Sequence, residues 1–146
     1  MKPLLILFGL LLGSATLSAE PLSCGVEFFR VEGKTIRESA DLVDLTPQMA
    51  QAFTVTLGQE QIFMTKVDGL KIRIVVTVMP KDDRYQIALR AEAVEATESA
   101  PQIDTTFVTN GRFVLKLAQP QLVGVATETN TQKGTRSKAW RITLTQ

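Results

Sequence analysis

Apolar and polar residues alternate through two long stretches of the chain. In "GLKIRIVVTVM", Leu70, Ile72, Ile74, Val76 and Val78 share one side; Lys71, Arg73 and Thr77 share the other with Val75 and Met79. "RYQIALRAEAVEA" answers with Tyr85, Ile87, Leu89, Ala91 and Ala93 set against Arg84, Gln86, Arg90 and Glu92. A period of two sustained this long predicts half-buried antiparallel strands. Pro80 and "KDD" supply the turn, because proline cannot continue a ladder and aspartate favours turns. If Pro80 faces Tyr85 across a four-residue loop, Val78 meets Ile87 and Arg73 meets Glu92. Opposite charges directly across a ladder contribute ~0.2–1 kcal/mol in favour of that pairing. A slip of two residues keeps every apolar residue inside and sets Lys71 against Glu92, so alternation determines the faces and leaves the register open.

The same period runs through most of the remaining chain. "CGVEFFRVEG" reads as a first strand, with Phe28 and Phe29 pointing to opposite faces. In "KTIRESADLVDLTPQMA", Ile36, Ala40 and Val43 are spaced for one helical face, and Thr46-Pro47 stops any helix. A short helix or ordered connection is expected there. "AFTVTLGQEQIFMTKV" gives two short strands around Gly58, and "ATESAPQ" is a polar connection. Asn110-Gly111 lies between two β-rich runs, the pattern of a tight hairpin. Beyond the break at Pro120, "QLVGVATETN" is a strand with Gly124 marking a bulge. "TQKGTR" is a loop, and "SKAWRITLTQ" is a last strand with Trp140, Ile142 and Leu144 on one side. Eight or nine short strands without a repeat or second unit predict an all-β fold, a single antiparallel β-sandwich or small β-barrel.

The first nineteen residues follow a different rule. Lys2 precedes an apolar run from Leu4 to Leu12, followed by small and polar residues ending in Ser18-Ala19. This is the pattern of a cleaved secretory signal peptide over residues 1–19, leaving residues 20–146 as the mature domain. The run is nine residues, about half the ~20 that span a bilayer. No transmembrane segment is expected after its removal, and the protein is expected to be periplasmic or otherwise exported. Cys24 is the one cysteine and has no partner for an internal disulfide. Two readings of it follow. In one it is acylated after cleavage and anchors the protein to a membrane; in the other it is a small apolar residue of the first strand.

Charge and residue types narrow the functions. Lys plus Arg is 16 and Asp plus Glu is 15; removing Lys2 leaves 15 against 15. A balanced chain carries no overall basic field for nucleic acid or an anionic membrane, so neither is expected as a partner. The chain contains no histidine, which removes the commonest general base and metal ligand. No phosphate-binding glycine loop or calcium loop occurs. Carboxylates are the remaining catalytic device: Asp82 and Asp83 in a turn, and Glu92, Glu95 and Glu98 along or beyond one strand. Their ordinary reading is a solvated turn and an exposed face, so no catalytic, cofactor-binding or metal residue is assigned. Trp140, Tyr85 and the phenylalanines sit at alternating strand positions that mark a core more often than a ligand cavity.

Four consecutive segments carry a resemblance: "VTLGQEQIF", "DGLKIRIVVTVMP", "RYQIALRAEAVEA" and "TTFVTNGRFVLKLAQP". With Gly58-Gln59, Gly69, Pro80, Thr105-Thr106 and Asn110-Gly111 in place, they resemble the β-rich core of the secretin family. These are the outer-membrane channel proteins of type II and III secretion and type IV pilus systems. The likeness covers about half the chain. It lacks the family's Gly-Gly after the last turn, where "LAQP" stands, as well as the ring domains and barrel strands. It therefore implies a soluble derivative of the core, not a channel, taking part in envelope assembly through sheet pairing. The expected function is thus a non-catalytic domain that binds an envelope protein through a sheet edge, such as Ser137–Thr145, or a sheet face. The alternative is a periplasmic carrier of a lipid or metabolite, which needs an apolar cavity.

Overall fold

The computed structural model describes residues 21–96 and 104–146; the expected signal peptide, most of the "ATESAPQ" connection and Glu98 lie outside them. The fold is a β-sandwich of two four-stranded antiparallel sheets. One sheet contains β1 (Leu22–Glu32), β2 (Met49–Val55), β7 (Gln121–Asn130) and β8 (Gly134–Thr145), in the order β2-β1-β8-β7. The other is a meander of β3 (Gln61–Val67), β4 (Leu70–Lys81), β5 (Arg84–Ala96) and β6 (Asp104–Leu115), in chain order. Among the described residues no helix is long and apolar enough to cross a membrane.

The alternating rows form the core. Leu70, Ile72, Ile74, Val76 and Val78 of β4 and Ile87, Leu89, Ala91 and Ala93 of β5 are all buried. They pack against Cys24, Val26 and Phe28 of β1 and Trp140, Ile142 and Leu144 of β8. Register follows the first of the two alternatives: Pro80 faces Tyr85, Val78 faces Ile87 and Arg73 faces Glu92. The strands run further than expected, to Lys81 opposite Arg84, leaving a two-residue turn with Asp82 at φ 55°. Pro80 is tolerated inside β4 because pairing with β3 ends at Val76, so its missing donor falls where no neighbour needs one.

Three expectations are corrected. Asn110-Gly111 makes no hairpin; β6 runs through it, with Asn110 opposite Arg90 and Gly111 opposite Leu89. Twelve continuous pairs with β5 outweigh the local turn preference, and the Phe113 ring lies over the space a Gly111 side chain would fill. The tight hairpin is instead at Asp68-Gly69, where both residues have positive φ, 49° and 79°, as a type I′ turn requires. Between β1 and β2 a single 3₁₀ turn, Ser39–Leu42, forms; Ile36 and Leu42 are buried while Val43 is exposed. The Asp41 carboxylate accepts from the Arg37 and Glu38 amides at 2.7 and 3.0 Å, tightening the turn and rotating Leu42 inward. Lastly, Ser137–Thr145 is not an edge: β8 lies between β1 and β7.

The two outer faces differ. Ile36, Leu42 and Leu45 cover Phe29, Val31, Ala139 and Leu122, so the β1–β8 sheet has a roof. Phe28 and Phe29 do face opposite ways, and both are fully buried, one in the sandwich and one beneath this roof. No such cover lies over the meander among the described residues. Along one long side the sandwich is pinched shut, where the Thr109 hydroxyl donates to the Val123 carbonyl at 2.6 Å. A bulge between Leu122 and Gly124 permits this approach, as a side chain on Gly124 would sit 2.8 Å from that hydroxyl oxygen.

Candidate docking face

The uncovered face is built by the outward positions of the meander. Hairpin register sets them in rows: Lys66–Lys71–Val94, then Met64–Arg73–Glu92–Val108, then Ile62–Val75–Arg90–Asn110. Arg112 and Arg84 extend the cationic set along β6 and β5, while the carboxylates at these strand positions among the described residues are Glu92 and, at the start of β6, Asp104. Glu92 is bound by Arg90 on its own strand at 2.7 Å, not by Arg73 across the ladder. Five of the eight exposed large apolar residues among the described ones also stand here: Ile62, Met64, Met79, Val108 and Val114. Met64 is 70% exposed. A chain of almost balanced charge thus presents one face that is both cationic and apolar. Carboxylates gather at its rim instead, as Asp68 in one turn and Asp82 and Asp83 in the other.

The β3 edge borders this face. Because Val67 and Leu70 close a two-residue turn, residues 61, 63, 65 and 67 bond to β4, and the amides and carbonyls of Ile62, Met64 and Lys66 face outward. An open hollow of about 460 Å³ lies beside them, lined by Met64, Lys66, Lys71, Arg73, Glu92 and Val94 over the inward-facing Thr65 and Ile72.

The residues singled out in the sequence do not gather into a site. Asp82 and Asp83 are exposed at one end of the β4–β5 hairpin, with Glu95 near the other; twelve residues of strand, roughly 40 Å, separate Asp83 from Glu95. Glu92 points outward, whereas Glu95 points into the open end of the sandwich, joined to Arg30 and 3.6 Å from Lys138. Trp140 and Phe28 pack together in the core with centroids 4.8 Å apart. Tyr85, Phe63, Phe107 and Phe113 are partly buried against the same core. These side chains fill the inter-sheet space that an enclosed ligand would need. No group of histidine, cysteine or carboxylates with metal-binding geometry occurs among the described residues.

Cys24 is fully buried, opposite Phe53 and Leu144, and burial pushes its thiol up to about 11. Acylation would require this side chain to leave the core and β1 to lose Leu22 and Ser23. A raised thiol pKa adds stability that is present below the unfolded value near 9 and lost as pH rises toward 11. Unfolding free energy should therefore fall across that window by up to about 2.7 kcal/mol more than in Cys24→Ala. Native Cys24 should also resist a thiol reagent that labels it rapidly in urea. Fast native labelling, or identical pH profiles for the two proteins, would contradict this placement.

In the sequence Lys66, Lys71 and Met64 carry no signal of their own, since each is ordinary on a strand. The signal that finds them is Asp68-Gly69: read as a two-residue turn, it sets Lys66 against Lys71 at once. Comparison with known protein families, curated proteins and solved structures finds no match to this chain.

Proposed function

We propose that this protein is an exported, non-catalytic β-sandwich domain that binds another protein of the cell envelope through the outer face and β3 edge of its meander sheet. The observation that carries this reading is the asymmetry of the two faces. One sheet is roofed by its own chain, while the other leaves Ile62 and Met64 beside unpaired edge backbone. Ile62 and Met64 stand exposed along this edge beside Val75, and a free edge adds a partner's strand through backbone bonds alone. Three of the four segments that resemble the secretin core fall on β4, β5 and β6 and the first runs from the end of β2 into β3, which points the reading toward secretion or pilus assembly.

A photo-crosslinking residue placed at Met64 or Val108 tests it in living cells, with Ala50 on the roofed sheet as control. One envelope protein should be captured from the first two positions and not from Ala50. No adduct, or the same adducts from all three, would overturn the reading.

A further inference from the structure

We infer that the hollow between β3, β4 and β5 binds a free single-chain amphiphilic anion, a carboxylate or phosphate monoester carrying an alkyl tail. The inference is independent of the protein-partner reading. It starts from a pairing that works against the fold: Lys66 lies directly opposite Lys71, and like charges facing across a ladder are destabilising. Arg73 is the next outward residue of β4, and its cross-strand carboxylate, Glu92, is held by Arg90 instead. None of these three cations joins an ion pair among the described residues. An oxyanion seated over Lys71 would accept hydrogen bonds from all three and remove the repulsion, and charge-assisted bonds of this kind are the strong ones.

The remaining walls call for a tail. Met64 and Val94 flank the cations, and Ile62 and Val75 form the next row along the sheet. The Arg90–Glu92 pair closes the far side with a carboxylate that keeps a second anion away. At about 460 Å³ the hollow falls within the ~300–1,000 Å³ typical of small-molecule sites. A free molecule fits better than a bilayer surface. A flat anionic membrane across the face would also meet Asp82 and Asp83 at the opposite rim, eleven residues or roughly 36 Å from Lys71. Of the rim carboxylates, a single anion at Lys71 has only Asp68, in the adjoining turn, close to it in the chain.

Backbone-amide NMR titration of the purified protein tests the site, with decyl phosphate below its micellar concentration as probe. Inorganic phosphate, decyltrimethylammonium and phosphatidylglycerol vesicles serve as comparators. Decyl phosphate should saturate with shifts confined to residues around Met64, Lys66, Lys71, Arg73 and Val94. Inorganic phosphate should bind at least about tenfold more weakly, and the cationic surfactant not at all. Lys71→Glu should weaken binding about tenfold or more. Lys66→Glu should do the same while raising Tm, because it replaces a repulsive pair with an attractive one. Binding unchanged in both variants, equal binding of the cationic surfactant, or binding only to micelles or vesicles would overturn the site. Since the readout needs no partner protein, its failure is distinct from a failed crosslink at Met64.

Discussion

Trp140→Ala should destabilise the fold by about 3–5 kcal/mol, the cost of emptying a fully buried aromatic site. Trp140 has no exposed surface and stands in β8 between the central strand β1 and the bulged strand β7. Its ring packs on Phe28, which in turn meets Phe107 of the opposite sheet at 6.3 Å. Removing it therefore opens a cavity where both sheets converge. A domain of this size is stable by only about 5–15 kcal/mol, so the variant should lose much of its margin. Trp140→Phe separates cavity from polarity, because the indole Nε1–H is buried without a protein acceptor. Phenylalanine gives up contact area and also removes that orphaned donor, so its cost should be nearer about 1 kcal/mol. Urea unfolding followed by circular dichroism measures both. Equal losses for the two variants would show that ring volume is not what Trp140 contributes.

The second large effect is expected at Glu95. This carboxylate leaves β5 on its inner face and meets Arg30 of β1 and the buried Lys138 of β8, joining the two sheets at one end of the core. In Glu95→Ala two cations are left facing each other with little solvent. The penalty should be about 2–3 kcal/mol, below that of a wholly buried pair because Glu95 and Arg30 keep about a quarter of their side-chain surface. The companion Glu95→Leu/Lys138→Met should be milder than Glu95→Ala, since only Arg30, which keeps about a quarter of its surface, is then left without its carboxylate. A double variant at least as unstable as Glu95→Ala would show that the sheets are not held by this charge cluster.

Individual residues show how far local pattern reaches. The β4–β5 faces were legible in the alternation but the register was not: Arg73 and Glu92 favoured one pairing by charge, and although that pairing forms, Glu92 is bound by Arg90 instead. The two glycine turn signals were not separable locally. Asn110-Gly111 and Asp68-Gly69 have nearly the same intrinsic preference, and only the length of β5 available for pairing decides which one bends. Leu42 and Val43 pose the same problem in a 3₁₀ turn, where the Asp41 hydrogen bonds select the residue that turns inward. The ends of the chain are the clearest case. Nothing in "SKAWRITLTQ" states that it lies beside β1, more than a hundred residues earlier.

An all-β protein with the long apolar rows of β4 and β5 turned inward follows from alternation alone, because a period of two puts every second side chain on one face. The sequence also supplied every residue of the candidate face. That the cations stand together follows from strand pairing and not from local pattern. A composition with almost equal acids and bases says nothing of direction, whereas pairing four strands side by side sums their outward positions onto one surface and leaves most of the carboxylates to turns, the sandwich end and the roofed sheet.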